Sequence, residues 1–287
     1  LAANAGFARG QLVLFDAPEP SLPVDLAVEE ANEQQRLLQS ALAQLQQQLT
    51  AQHRQASAQT AQILRAHLSL LSDITFQQKL SALLSDSPTL AHAILQLQRD
   101  YQTQFMASDS SYLQERELDL RDLCQQLLVL IYPTWAKAKT LQLHTASVVL
   151  ADELTPSQFL SLDLQHLSGM ILEKTGRTSH TLILARASAI PVLSGLPLAA
   201  FNRYSGQHAV LDARCGVLAI NPDDAVRGYY AIAQKLADEC QRRQALDAAQ
   251  PALTKDHQRI DVAANIGTAL EAPGAFANGA EGIGLFR

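Results

Sequence analysis

Cysteine is scarce in this 287-residue sequence: Cys124, Cys215 and Cys240 lie far apart, and no CxxC pair occurs. That excludes a zinc ribbon or a disulfide scaffold and fits a reducing compartment. Lys/Arg-rich runs are also missing. With a net charge of −6 and a pI near 5.7, the chain is not a general nucleic-acid binder. No apolar stretch reaches the roughly 18–20 residues of a membrane span, and no signal-peptide pattern precedes the first strand, so the expected location is the cytoplasm without membrane insertion. Glycine is absent from Val24 through Lys139. What is present is 47% hydrophobic against 17% charged residues, enough apolar surface for a real core and too little charge for disorder. The length suggests two domains. The chain opens on Leu1 rather than Met, which suggests a piece of something larger.

Hydrophobic period divides the chain. Gly6 to Phe15 reads as an apolar strand that ends in the Pro18/Pro20 loop. From Val24 to Lys139, Leu38, Leu42, Leu45 and Leu49 alternate spacings of four and three among many glutamines, one stripe of an amphipathic helix. Further helices are expected at about 61–72, 74–85, 89–107 and 112–131, with Thr89 as a cap. From Thr145 the period changes. Ser147–Leu150, Gly169–Leu172, Pro191–Leu193, Ala209–Leu211 and Val217–Ile220 are short apolar runs, with helical candidates at 156–162 and 179–188. The expected fold is therefore an α/β domain (1–23 plus 140–222) carrying an inserted all-α helical-hairpin bundle (24–139). A linker helix (223–250), capped by Asn221 or Asp223, follows. Residues 251–287 read as strand, helix and strand, the severed start of another domain, because one such unit cannot bury its own faces.

The chemistry is concentrated in Thr175-Gly-Arg-Thr-Ser-His-Thr-Leu-Ile-Leu-Ala-Arg186. A strand runs into a glycine turn and then a helix near Ser179, which makes a ready anion site. Gly176 permits the turn, Thr178 and Ser179 add hydroxyls, and Arg177 and Arg186 add positive charge. His180 lies in their midst. An imidazole is partly neutral near pH 7, so a ring nitrogen can attack phosphorus directly, and the phospho-imidazole would gain charge-assisted hydrogen bonds. An isolated histidine at a helix start is more often a cap or a surface residue.

Gly176-Arg-Thr-Ser-His180 followed by Ala185-Arg186 resembles the phosphohistidine motif of phosphoenolpyruvate-utilising enzymes. More narrowly, the chain resembles enzyme I of the bacterial sugar phosphotransferase system. Leu154-Thr-Pro-Ser157, Ile190-Pro191, Leu211-Asp212, Asn221-Pro222, Ala264-Asn-Ile-Gly-Thr268 and Gly279-Ala-Glu-Gly-Ile-Gly-Leu-Phe-Arg287 carry the likeness along its length. The resemblance implies a phosphoryl relay. Phosphoenolpyruvate phosphorylates His180 at Nε2, and the group passes to a histidine of the carrier HPr docked on the helical bundle. It implies swivelling of the α/β domain between these partners, and a barrel that binds phosphoenolpyruvate with magnesium and with Arg287 gripping phosphate. Most of that barrel lies beyond Arg287. The chain at this length is thus expected to exchange phosphate with phospho-HPr without using phosphoenolpyruvate and to hold no metal or cofactor. It is also expected to be monomeric, with Mg2+ and a homodimer belonging to the full-length protein. His67, Leu70, Leu71, Asp73 and Arg121 are the expected docking residues.

Departures from the family are informative. Thr175 replaces a glycine, Asn4-Ala-Gly6 stands where Ser-Pro-Gly is common, and Phe159 stands where the family has a threonine bonded to the active histidine. Thr155 or Ser157 could substitute for that threonine. Residues 24–139 hold twelve acidic against nine basic residues, a weak contrast for a basic carrier. That suggests a multiphosphoryl transfer fusion, in which HPr-like and enzyme I-like modules share one chain. Arg116, Glu117, Arg121 and Asp122 read as a solvated helix face with internal ion pairs. Two other readings stay open: the phosphohistidine domain of a pyruvate phosphate dikinase or phosphoenolpyruvate synthase, and a non-catalytic binding module.

Overall fold

The computed structural model describes residues 2–15, 30–56, 58–108, 111–133, 141–174, 179–266 and 272–286. The chain forms two compact units, Leu1–Asn221 and Pro222–Arg287.

In the first unit the leucine stripe becomes α1 (Ala31–Gln55), with Leu38, Leu45 and Leu49 buried. It packs with α2 (Ala58–Leu71), α3 (Ile74–Asp86), α4 (Leu90–Met106) and α5 (Ser111–Ile131) around a core that includes Phe76, Leu80, Ile94, Leu97 and Leu123. The start signals act as expected. The Asp73 carboxylate accepts from Phe76 N at 2.9 Å, and Thr89 Oγ1 accepts from His92 N at 3.3 Å.

The remainder of this unit is a seven-stranded sheet in the order β1-β5-β4-β3-β2-β6-β7. Its strands are β1 (Ala2–Asn4), β2 (Phe7–Phe15), β3 (Ser147–Ala151), β4 (Leu167–Leu172), β5 (Val192–Ser194), β6 (His208–Asp212) and β7 (Val217–Ile220). β2 to β5 are parallel neighbours through β3 and β4, while β1, β6 and β7 run antiparallel to theirs. β2, the strand read at Gly6 to Phe15, therefore sits mid-sheet, although the bundle is inserted between it and β3.

Central parallel strands are covered on both faces, which is why they read as unbroken apolar runs rather than as alternation. Val149, Met170 and Leu172 pack on one face beside α6 (Pro156–Ser161) and α7 (His180–Ala187). Val148, Leu150 and Ile171 pack on the other with Leu198 and Phe201 of the short α8 (Leu198–Phe201) and with Tyr204 of a 3-10 turn, Asn202–Tyr204. Gly10 is needed where β2 passes the start of β3, because a Cβ there would lie 2.3 Å from the Ala146 carbonyl oxygen.

The second unit holds α9 (Asp224–Ala248), β8 (Ala263–Ile266), α10 (Ala272–Ala277) and β9 (Gly282–Phe286), the two strands pairing in parallel. Of the two cap candidates Asp223 is used, accepting from Val226 N at 2.8 Å.

Candidate functional site

β4 delivers the chain towards the motif, and α7 begins at His180. Ser179 is its N-cap, accepting from Leu182 N at 3.3 Å. Thr181 Oγ1 donates to the Leu154 carbonyl at 2.5 Å and ties this first turn to the segment before α6. α6 carries its own capping box, with Thr155 and Gln158 satisfying each other's orphan N–H groups. The His180 ring is thereby fixed at its backbone, with 21% of the side chain exposed.

Its partner comes from the helical bundle. His180 Nδ1 lies 2.6 Å from Asp119 Oδ1. Asp119 is on α5 and its side chain is only 3% exposed. Burial alone would raise its pKa. The hydrogen bond from His180 and the attraction of His67 outweigh that and hold it at about 2. A carboxylate that stays ionised can only accept, so the proton between the two belongs to Nδ1 and the lone pair to Nε2.

One helical turn along, Asp122 faces the same way. Its carboxylate accepts from Ser157 N at 3.1 Å, from the Ser157 hydroxyl, and from Gln126 Nε2 at 3.3 Å. His67 of α2 lies between the two carboxylates, its Nε2 3.7 Å from Asp119 and 3.8 Å from Asp122. Burial by itself would lower the His67 pKa, and so does Arg116. Asp119 and Asp122 prevail and raise it above the ordinary histidine value. Arg116 adds a contact at 3.7 Å to Asp119 Oδ2, and Arg121 pairs with Glu153 across to the α/β portion.

Several expectations are corrected by this geometry. The Arg116–Asp122 run is not a solvated face: Glu117, Asp119 and Asp122 are buried, because α5 is covered by the bundle core on one side and by α6, with His180 at the start of α7, on the other. Thr155 and Ser157 do not take the role of the family's threonine. Thr155 caps α6 and Ser157 serves Asp122, while Asp119 orients His180. Phe159 is wholly buried in the sheet-side core.

Among the docking residues, His67 and Leu71 are buried and offer no surface in this arrangement. Leu70 is half-buried against the bundle core, the Asp73 carboxylate caps α3, and Arg121 is engaged with Glu153 and Glu117. Arg186 sits in the last turn of α7, where its guanidinium donates to the Ala3 carbonyl at 3.1 Å and so braces β1. Gly176, Arg177, Thr178 and Arg287 lie outside the described residues.

Asp119 escaped the sequence reading. Its only signal was an acidic pair at i, i+3 on a helix rich in leucine on every side. Among the described residues no group of three or more His, Cys, Asp or Glu side chains is placed to hold a metal ion, so the magnesium implied for the full-length protein finds no fitting site there. Among the same residues no helix is long and apolar enough to cross a membrane.

Profiles of phosphoenolpyruvate-utilising enzymes match along the chain: the N-terminal domain over residues 1–116, the mobile domain over 143–216 and the phosphoenolpyruvate-binding domain over 241–287. The chain is 53% identical to multiphosphoryl transfer protein 1 of Escherichia coli K12, over 99% of its own length and 34% of that protein's. It is 31% identical to the phosphoenolpyruvate-protein phosphotransferase of Staphylococcus carnosus, over 82% of its own length and 41% of the relative's. It thus spans between a third and a half of these two relatives. The solution structure of an enzyme I protein shares the fold, with a TM-score of 0.59 at 23% identity over 83% of this chain and 98% of that one. The phosphohistidine motif, the inserted bundle and these matches together place the chain in the family of phosphoenolpyruvate-utilising enzymes.

Proposed function

We propose that this chain is the phosphoryl-relay portion of a phosphoenolpyruvate-protein phosphotransferase, with His180 as the phosphate carrier. The observation that carries the reading is the Asp119–His180 hydrogen bond, which keeps the proton on Nδ1 and leaves Nε2 as the nucleophile. In the transfer, the Nε2 lone pair forms a bond to phosphorus as the bond from phosphorus to the donor breaks. The Nδ1 proton stays where it is, held by Asp119 throughout, so no separate base is required. The phosphoryl charge then develops at the first turn of α7, where backbone N–H groups and the helix dipole favour an anion.

Gly176, Arg177, Thr178 and Ser179 are the proposed phosphate-stabilising residues on the strength of the motif. Arg186 would have to leave the Ala3 carbonyl to join them. Phosphoenolpyruvate, Mg2+ and Arg287 belong to the barrel side of the reaction in the full-length homodimer, and the proposed acceptor is an HPr-type histidine. The first relatives are named multiphosphoryl transfer proteins, which favours an HPr-like module in the same polypeptide and disfavours the dikinase reading. The location that goes with this relay reading is the cytoplasm.

The test is intact mass after incubation with phospho-HPr, with a His180→Ala control. One acid-labile phosphate gained by the wild type and not by the control is expected. No gain from several HPr-type donors would move the reading to a binding module.

A further inference from the structure

Two imidazoles flank one buried carboxylate. On one side of Asp119 is His180, at hydrogen-bond distance; on the other is His67, 3.7 Å away. His67 is 2% exposed, and neither of its ring nitrogens has a hydrogen-bond partner among the described residues. A packing histidine would be expected to satisfy at least one of them. It is placed instead as a charge, equidistant from two carboxylates that α5 buries one turn apart.

The other groups facing it leave that role to His67. α5 brings Arg116 as well, but that guanidinium approaches Asp119 from its other oxygen. A cavity of about 190 Å³ adjoins the ring, and there α1 contributes Leu49 and Gln52 while α6 contributes Pro156, Ser157, Leu160 and Ser161, none of them ionisable. The cavity is large enough for water, so His67 can exchange its proton although it is covered.

We propose that His67 is a positioning residue that acts on His180 through Asp119: while His67 carries its proton, the carboxylate stays charged and in place, and His180 keeps its proton on Nδ1 and its lone pair on Nε2. The inference rests on His180 being the phosphate carrier. Loss of the His67 proton leaves two buried carboxylates facing each other with one cation fewer. The Asp119 side chain is then free to turn away from His180. Without that acceptor held against Nδ1, the His180 tautomer is no longer fixed.

The consequence is a pH profile that a solitary histidine would not give. A lone imidazole nucleophile becomes more reactive as it loses its proton and then levels off. His180 should instead fall off again on the alkaline side, as His67 is deprotonated. Phosphorylation of the full chain by phospho-HPr is followed by intact mass from pH 6 to 9, in the wild type and in His67→Gln. The carrier's own titration is common to both and cancels in the comparison.

The expected results are a bell for the wild type, a flat alkaline arm for His67→Gln, and a rate lower by on the order of 10-fold near pH 7, the scale of losing a partner that orients a metal-bound histidine. Ring-nitrogen NMR of the unphosphorylated wild type gives a second arm that needs no variant. His67 should keep both ring protons to a higher pH than an ordinary histidine, and the His180 signals should shift from a single Nδ1–H form towards a mixture as His67 titrates. A wild type with no alkaline fall, a folded His67→Gln with unchanged rate and profile, or a His180 ring indifferent to the His67 titration would each overturn the proposal. If the wild type accepts no phosphate at all, the relay reading fails, and the NMR arm alone decides whether His67 governs the His180 tautomer.

Discussion

Acid is the sharpest probe of the Asp119 site. Its carboxyl has a pKa of about 2 in the folded chain against an ordinary 3.8, a depression of roughly two units. Because the folded value lies below the unfolded one, the unfolded chain binds the proton first as pH falls. The contribution to stability is fully present above about pH 4 and is lost as pH drops towards 2. Two units correspond to about 2–3 kcal/mol, and about half should be gone by pH 3. The side chain is almost fully covered, so little of this is screened by solvent. The assay is urea unfolding at pH 7, 5, 4, 3 and 2.5 for the wild type and Asp119→Asn. Other carboxylates titrate in both and cancel in the difference. The stability advantage of the wild type should shrink by about 1–2 kcal/mol between pH 4 and pH 2.5. Parallel stability curves down to pH 2.5 would refute the assignment of Asp119 as a buried, permanently charged acceptor.

Other consequences can be checked alongside. His67 has the opposite sign: its raised folded pKa means a stabilisation complete below about pH 6.5 and lost as pH rises through the folded value, so His67→Gln should flatten the alkaline side of the wild-type stability curve. Phe159→Thr, which restores the family's residue, should cost about 3–5 kcal/mol in thermal or urea unfolding without speeding phosphorylation, because the ring fills the core and Asp119 already orients His180. Gly10→Ala should destabilise the sheet by about 1–3 kcal/mol through its collision with the Ala146 carbonyl, whereas Gly228→Ala in the exposed helix α9 should be neutral or stabilising by up to about 1 kcal/mol.

The bundle and the sheet were largely legible in advance. Leu38, Leu45 and Leu49 were buried as their spacing required, Thr89 and Asp223 capped the helices they preceded, and each apolar run after Thr145 became a strand. β1 and α8 were missed because three or four residues carry no period of their own. Ala2–Asn4 is a strand only because β5 is there to pair with it.

The charged run on α5 misled for a related reason. Helical spacing reports which residues share a face, but not how many faces are covered, and α5 is covered on two sides. The same limit hid the relation of Arg186 to β1, since a guanidinium near a phosphate motif reads as phosphate-binding until a carbonyl 183 positions away claims it.

The sequence by itself singled out His180 as the proposed carrier, the helix that starts on it and the order of strands and helices along the chain. These follow from short-range rules of period, capping and motif, which act over a few residues. Only the tertiary structure decided which group orients that histidine. Asp119 is 61 positions from His180 in the chain, and His67 lies still further away on a third element. Their roles come from burial, which strengthens a charge–charge contact by removing water from between the partners. No local pattern can encode that, because it depends on which distant surfaces close over α5.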